Sequence, residues 1–317
     1  QRGFERDPMR LSVLGSVLAS LVLATSASAV TIDWVPVLDA GNAADTTGFG
    51  AVTYSYRISK YEISNAQYAE FLNSVAATNS HDLYDPSMGS SSGGITQSGI
   101  SGSFSYSAVT GREDRPVNYV NWGASLRFTN WLHNGQPTGP ADFTTTEDGA
   151  YLLLASSPGP RKPGATVFVP NEDEWYKAAY YDALSTSYFD YPANSSTQPV
   201  CGAGGATPNT ANCNNVVGSL TSVGSYTNSA SPYGTFDQGG NVSEWSETIT
   251  PPFQVSRWGG AFDGSASALA ASSPPLFNPT IGSIDSGFRV ASLAVPEPTT
   301  GLLLGLGLLG VAVSRRV

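Results

Sequence analysis

Three segments in the first half of the chain place apolar residues at helical spacing behind a capping residue. Ser64, with Gln67 three positions later, forms a capping-box pattern. Asn121 and Asn171 precede two further periodic segments and are typical N-cap residues. The predicted buried faces are Tyr68, Phe71, Leu72 and Val75; Ala124, Phe128, Trp131 and Leu132; and Trp175, Ala178 and Ala179. The pattern therefore predicts three amphipathic helices.

The remaining pattern predicts short strands and long loops. Residues 30–38 are rich in apolar side chains, and residues 52–58 alternate between apolar and polar ones. Residues 81–111 are rich in serine and glycine and predict a long surface excursion. Helices followed by loop-dominated β structure indicate an α+β fold. The body, residues 30–294, is long enough for one substantial core, so we expect a loop-rich single domain.

The start of the chain is patterned as a targeting segment. Residues 9–29 combine a basic start, an apolar run and small residues at positions 27–29. This is the layout of a secretory signal peptide that is cut before Val30. A membrane anchor is disfavoured because the apolar run is far shorter than the ~20 residues that span a bilayer. Residues 1–8 do not begin with methionine, and we interpret them as upstream sequence included in error, with Met9 as the start.

The last 23 residues form a second targeting pattern. Residues 295–298 read Val-Pro-Glu-Pro, residues 301–313 are apolar, and two arginines follow. A short apolar segment with arginines behind it acts as a stop-transfer element. This tail, residues 295–317, resembles the PEP-CTERM sorting signal of Gram-negative, polysaccharide-producing bacteria. The resemblance implies transient anchoring in the inner membrane, cleavage by an exosortase-type protease, and release to the cell surface or extracellular matrix. An ordinary C-terminal anchor is the alternative.

The charge of the body excludes one class of partner. Charged residues make up 13% of the chain, against ~25% in typical globular proteins. Within residues 30–294 there are 10 basic and 22 acidic residues, a net charge of −12, and no basic cluster. Nucleic acid is therefore not an expected partner, because phosphate binding needs a cationic surface. An acidic exterior is better suited to divalent cations.

The chain has two cysteines, Cys201 and Cys213, in a glycine-rich segment. In an oxidising compartment such a close pair is most simply a structural disulfide. Closing a loop of this size would stabilise the fold by ~3 kcal/mol in the chain-entropy model. A metal-binding or redox pair is the alternative.

Six sequence blocks, taken together and in this order, resemble the sulfatase-modifying-factor family, whose best-known members are formylglycine-generating enzymes. The blocks are YEISNAQY (61–68), RPVNYVNW (115–122), VPNEDEW (169–175), YGTFDQGGNVSEW (233–245), RWGG (257–260) and GFR (287–289). They run from about residue 52 to residue 292, most of the body. The resemblance implies a variant of the C-type-lectin-like fold, with little regular structure for its size and with bound calcium.

The resemblance also implies a ligand set for calcium. The family's calcium loop falls on Asp237 and Glu244 as side-chain ligands, with Gly240 and Val242 contributing backbone carbonyls. Oxygen ligands of this kind are those that calcium prefers. The alternative is that the two acidic side chains only cap and solvate a turn.

A second family calcium site would begin at Asn212 and the carbonyl of Cys213. The acidic residue that should complete this second site is not evident in residues 216–226.

The chain departs from the family at the catalytic centre. The enzymes need two cysteines, five positions apart, shortly after the Gly-Gly that corresponds to residues 259–260; their thiolates bind copper. Here these positions are Gly264 and Leu269, so we expect no catalytic residues and no copper. The two histidines, His81 and His133, cannot supply the three ligands of the family's iron enzymes. No nucleophile-elbow motif supports a Ser-His-Asp hydrolase.

Taken together, these features predict an exported cell-surface or matrix protein with a calcium-stabilised scaffold that binds a glycan, a peptide or another protein. Exposed aromatic and acidic residues in 233–245 and 257–263 are expected to line its groove. An oxidoreductase that acts on exported proteins by a variant of the family chemistry is the alternative. A purely structural matrix component, associated with exopolysaccharide, is a third possibility.

Overall fold

The computed structural model describes residues 29–154, 157–272 and 274–293. Its helices are α1 (Asn65–Val75), α2 (Trp122–His133) and α3 (Glu172–Tyr180). Each begins where the sequence predicts: the side chains of the N-cap residues Ser64, Asn121 and Asn171 all accept a backbone N–H from the first turn. In α1 and α3 the side chain of the third helical residue completes the capping box.

The strands are short, and most contain two to five residues. In chain order they are β1 (Trp34–Val37), β2 (Tyr56–Ser59), β3 (Ile95–Ser98), β4 (Ser105–Ala108), β5 (Leu153–Leu154), β6 (Ser157–Pro158), β7 (Tyr181–Asp182), β8 (Ser187–Tyr188), β9 (Val200–Cys201), β10 (Thr210–Ala211), β11 (Ser243–Thr250), β12 (Gln254–Trp258), β13 (Leu276–Phe277), β14 (Ser286–Gly287) and β15 (Ala291–Leu293). The fold is thus α+β and rich in loops, as predicted.

Two sheets organise the domain. The larger has the order β13-β12-β11-β14, with β11 and β12 forming an antiparallel hairpin and β14 lying parallel to β11. The smaller has the order β1-β2-β15, so that the first and last strands flank β2. Each of the other sheets is a two-stranded pair.

Aromatic side chains from α1, α2 and the segment before β15 form the centre of the core. Phe128 packs edge-to-face on Phe71 and Phe288, with ring centroids 5.4 and 5.3 Å apart, and stacks on Tyr68 at 5.9 Å. All four rings are fully buried. Aromatic pairs in this geometry contribute about 0.5–1.5 kcal/mol each beyond the burial of their surface. This cluster fixes both helices against the C-terminal part of the chain.

The segment 81–111 is more ordered than the sequence predicts. It contains 3₁₀ turns and the β3–β4 hairpin, and the side chains of Leu83, Met88 and Ile95 are buried in the main core. These three apolar residues are spaced too irregularly for a periodic signal, yet they anchor the excursion.

The predicted upstream segment (residues 1–8), the signal peptide (residues 9–29, except its last residue) and the sorting tail (residues 295–317) lie outside the described residues. In the described part of the chain, no helix is both long and apolar enough to cross a bilayer.

Candidate functional site

The glycine-rich turn before β11 folds back onto the segment that carries Asn212. Asp237, Gly240 and Asn241 all have a left-handed backbone, with φ of 59°, 90° and 60°. The N–H of Asn241 donates to the Asn212 carbonyl at 2.9 Å. A Cβ atom on Gly240 would lie 2.2 Å from that same carbonyl oxygen. Because only glycine fits such a close approach, Gly240 is required for the turn.

A buried ion pair follows directly after this turn. Arg289 donates from Nε to Oε2 of Glu244 at 2.6 Å and from Nη2 to Oε1 at 2.7 Å. Trp175 Nε1 also donates to Glu244 Oε2, at 2.7 Å, and all three side chains are fully buried. The remaining guanidinium donors reach the carbonyls of Ser59 at 3.0 Å and Phe236 at 2.9 Å. A bidentate pair with this many hydrogen bonds is well satisfied.

Two more carboxyl groups surround the ion pair. Glu62 is buried; its Oε1 accepts from Asn241 Nδ2 at 3.0 Å, and its Oε2 has no hydrogen-bond partner among the described residues. Burial raises the pKa of Glu62 well above its usual range, and the nearby carboxylates of Asp237 and Glu244 raise it further. Burial also raises the pKa of Asp237, to about 6. Three carboxyl groups thus surround the single guanidinium of Arg289, so this interior is short of positive charge.

Glu244, one of the calcium ligands implied by the family resemblance, already has partners. Its Oε1 accepts a hydrogen bond from Arg289 and its Oε2 accepts from Arg289 and Trp175, so an ion at Glu244 would compete with Arg289 for the carboxylate. Within the described residues, no three His, Cys, Asp or Glu side chains are grouped closely enough to hold a metal ion. Glu244 fits the role of a counter-ion for Arg289, and calcium binding by Asp237, Gly240, Val242 and Glu244 stays a prediction.

The residues of the second expected calcium site have other roles. Asn212 donates from Nδ2 to the Ser219 carbonyl at 2.9 Å, and its Oδ1 accepts no hydrogen bond within the described part of the chain. The Cys213 carbonyl accepts the N–H of Val216 at 3.2 Å. The sulfur of Cys213 is bonded to that of Cys201, with Cα atoms 5.0 Å apart, so the disulfide prediction is confirmed in the structure.

A groove of about 280 Å³ lies beside β12 and the segment that follows it. Its floor is the Gly259–Gly260 backbone, and Ala268 and Pro275 contribute small or rigid side chains. Arg257 closes one end: its guanidinium lies 3.6 Å from the ring centroid of Phe277 and 5.2 Å from that of Trp245.

The Arg257 guanidinium also contacts the carboxylate of Asp285, with Nη1 3.3 Å from Oδ1. The expectation that exposed aromatic residues of 233–245 line the groove is wrong for Trp245, which is fully buried. From that stretch, Ser243 is the residue that lines the groove.

The two positions that correspond to the catalytic cysteines lie in and under this groove. Gly264 lines it, whereas the side chain of Leu269 is fully buried below it, in a small apolar cluster with Ala211, Cys213 and Ala266. Neither residue offers a thiolate. The chain has two cysteines, and both are in the disulfide, so the groove contains no thiol.

The two histidines contact different partners. His133 Nδ1 contacts the hydroxyl and the N–H of Thr166 at 2.7 and 3.1 Å. His81 lies 3.8 Å from the carboxylate of Glu147, which is paired with Arg127.

Sequence reasoning missed the roles of Glu62, Trp175 and Arg289. All three lie within the six blocks, so the blocks marked the right residues, but their pairing across 45 or more positions has no local signal.

The domain is α+β and rich in loops, and its glycine-rich turn folds back directly ahead of a buried Arg–Glu pair. These features define a C-type-lectin-like fold of the formylglycine-generating type. The family model described as "Sulfatase-modifying factor enzyme 1-like domain" matches residues 41–294. The chain therefore belongs to this family. The PEP-CTERM protein-sorting motif matches residues 294–316 and implies an exported protein that is processed by an exosortase at its C-terminal end. Among curated proteins, none matches the chain.

Solved structures are similar to this chain at low identity. CarF is similar with a TM-score of 0.53 and 19% identity, over 84% of this chain and 99% of CarF. Variable protein 1 of Treponema denticola has a TM-score of 0.46 and 17% identity, covering 85% of this chain and 98% of its own. PvdO from Pseudomonas aeruginosa has a TM-score of 0.44 and 15% identity, covering 77% and 83%.

Proposed function

We propose that this domain is a ligand-binding module of an exported surface or matrix protein, without formylglycine-generating activity. The observation that carries the proposal is the absence of any thiol from the groove. Gly264 and Leu269 occupy the positions of the catalytic cysteines, and the two cysteines of the chain are joined in a disulfide. Without a thiolate there, copper has no soft ligand and the family's oxidation has no starting nucleophile.

The groove beside β12 is the proposed ligand site. Its volume of about 280 Å³ is close to the lower end of the ~300–1,000 Å³ typical of ligand sites. Much of its lining is apolar, including the side chains of Trp258 and Phe277, while Asp263 and the Arg257–Asp285 pair offer hydrogen-bond donors and acceptors. A short segment of a glycan or of an extended peptide suits such a surface, because apolar walls take its carbon framework and the ion pair orients its polar groups.

Filling the groove tests its role. We expect Ala268→Trp to abolish binding of a ligand found by glycan-array or peptide-array screening of the wild-type chain. Ser101→Trp, on the exposed β3–β4 loop, adds the same bulk outside the groove and should leave binding unchanged. Equal binding by both variants would show that the ligand uses another surface.

The competing function is an oxidoreductase of the family type that works by variant chemistry. Wild-type protein loaded with copper and given a cysteine-containing peptide should consume no oxygen and form no aldehyde. Aldehyde formation would overturn the proposal. Co-purification with exopolysaccharide, without binding of any defined ligand on the arrays, would favour a purely structural matrix role.

A further inference from the structure

A small polar cavity lies at the start of α1 and shares no lining residue with the groove beside β12. It has a volume of about 90 Å³, and Arg112 and Arg115 line it together with Asn65, Ser92 and Asn118. We refer to it as the Arg112–Arg115 pocket.

Backbone contacts build this pocket. The loop that carries the two arginines is held against α1, because the N–H of Asn65 donates to the Arg115 carbonyl and its Nδ2 to the Arg112 carbonyl, both at 2.9 Å. Asn118 Nδ2 donates to the Ser92 carbonyl at 3.0 Å and so fixes the opposite wall. A Cβ atom on Gly94 would lie 2.0 Å from Asn65 Nδ2, so a glycine is needed for the amide to reach its place. The pocket is therefore part of the fold rather than a gap between loose loops.

The two arginines stand out by their lack of acidic partners. Four other arginines of the described residues each contact a carboxylate within 3.3 Å: Arg127, Arg161, Arg257 and Arg289. In the described part of the chain, Arg112 donates from Nη1 to the Gly93 carbonyl but forms no ion pair. The Arg115 side chain forms no hydrogen bond and no ion pair there. Two unneutralised guanidinium groups on one cavity, in a body with a net charge of −12, attract an anion.

A second observation narrows the ligand. Asn65 is 2% exposed, and its side-chain oxygen Oδ1 has no hydrogen-bond partner among the described residues. A buried carbonyl oxygen of this kind needs a donor, which a bare carboxylate or sulfate cannot supply. A ligand that satisfies both the arginines and Asn65 must carry an oxyanion and a hydroxyl group close to each other.

We infer that the Arg112–Arg115 pocket binds the acidic group of a hydroxylated anion, the chemistry of a sugar acid. The arginines hold the carboxylate, and a neighbouring hydroxyl donates to Asn65 Oδ1. The cavity is large enough for the carboxylate end of one sugar unit, while the rest of the sugar lies outside over the exposed hydroxyls of Ser91 and Ser92. This inference is independent of the groove beside β12, because the two sites share none of their lining residues.

The test is to titrate the full chain separately with glucuronate, glucose, acetate and inorganic sulfate. Binding is measured by calorimetry, or by NMR of the ligand for the two sugars. We expect glucuronate to bind most tightly, with glucose and acetate at least roughly tenfold weaker, since each lacks one of the two groups. Binding of glucuronate should also weaken as salt is added. Equal affinities for glucuronate and glucose, or for glucuronate and sulfate, would contradict the assignment, as would no binding of glucuronate at all.

Matched variants locate the site. Arg115→Gln removes no side-chain hydrogen bond or ion pair seen in the described residues, so it should fold normally and weaken glucuronate binding by about tenfold or more. Arg57→Gln is the control, because Arg57 has no acidic partner in the described ranges either but stacks on Trp34, outside the pocket. If Arg115→Gln binds glucuronate as the wild type does, or if Arg57→Gln weakens binding equally, the pocket is not the site.

Discussion

Replacing Arg289 with methionine should destabilise the domain far more than replacing Glu244 with glutamine, although the two residues form one ion pair. Methionine leaves the Glu244 carboxylate buried beside the Glu62 and Asp237 carboxyl groups, with no guanidinium to offset them. Glutamine keeps the shape of Glu244 and an acceptor for Trp175, and the charge of Arg289 is still balanced by the carboxyl groups that remain. The asymmetry follows from three carboxyl groups surrounding one arginine.

The magnitudes can be estimated from the contacts. Removal of one partner of a buried pair costs about 3–5 kcal/mol, and Arg289→Met also leaves the carbonyls of Ser59 and Phe236 without donors. Glu244→Gln weakens charge-assisted hydrogen bonds without leaving a bare charge, so we expect about 1–2 kcal/mol. In a domain of this size each kcal/mol lowers the Tm by ~2–4 °C, which separates the two variants clearly.

Urea unfolding followed by tryptophan fluorescence measures both losses, since Trp175 and Trp245 are fully buried near the pair. Each protein is measured with calcium and with a chelator. We expect the difference between Glu244→Gln and the wild type to be the same in both conditions, because Glu244 acts as a counter-ion. If calcium raises the wild-type midpoint but not that of Glu244→Gln, Glu244 is a calcium ligand and the reasoning fails. Equal losses for the two variants would also refute it.

Three further predictions concern other parts of the fold. Burial raises the pKa of Glu247 from 4.5 to about 7, so its contribution to stability is full below pH ~4.5 and is lost as the pH rises towards 7. Glu247→Gln should flatten the plot of unfolding free energy against pH over that range, and an unchanged plot would contradict the shift. Replacing Cys201 and Cys213 with alanine should lower the free energy of unfolding by ~3 kcal/mol in urea titrations, and a loss below about 1 kcal/mol would mean that the loop is already held by its other contacts. Gly240→Ala should lower the free energy of unfolding by at least about 2 kcal/mol in the same assay, because the position has a positive φ and the added Cβ clashes. Gly218 also has a positive φ but no atom near its Cβ position, so Gly218→Ala should lower the free energy of unfolding by less.

The sequence predicted the elements whose signals are local. Each helix begins at its predicted cap, because a capping box is specified by two residues three positions apart. The disulfide could be predicted because the chain has one possible pairing within itself. The family resemblance supplied the fold class, which periodicity alone limited to α+β.

What the sequence could not predict depends on partners that are distant along the chain. Glu244 and Arg289 are 45 positions apart, so nothing local indicates that the carboxylate is already occupied by an arginine rather than free for an ion. The same holds for Arg112 and Arg115, which stand beside Glu113 and Asp114 and so look like ordinary solvated charges. The structure shows that these neighbours form no ion pair with them among the described residues.

The position of β15 has a consequence for how the C-terminal sorting motif is processed. Leu293 is paired with Tyr56 in the small sheet, and the sorting motif begins at the very next residue. A protease that recognises the motif would therefore act within a few residues of a packed sheet. Lengthening this junction with a flexible insert would move the cleavage site away from the sheet, and we expect faster processing as a result.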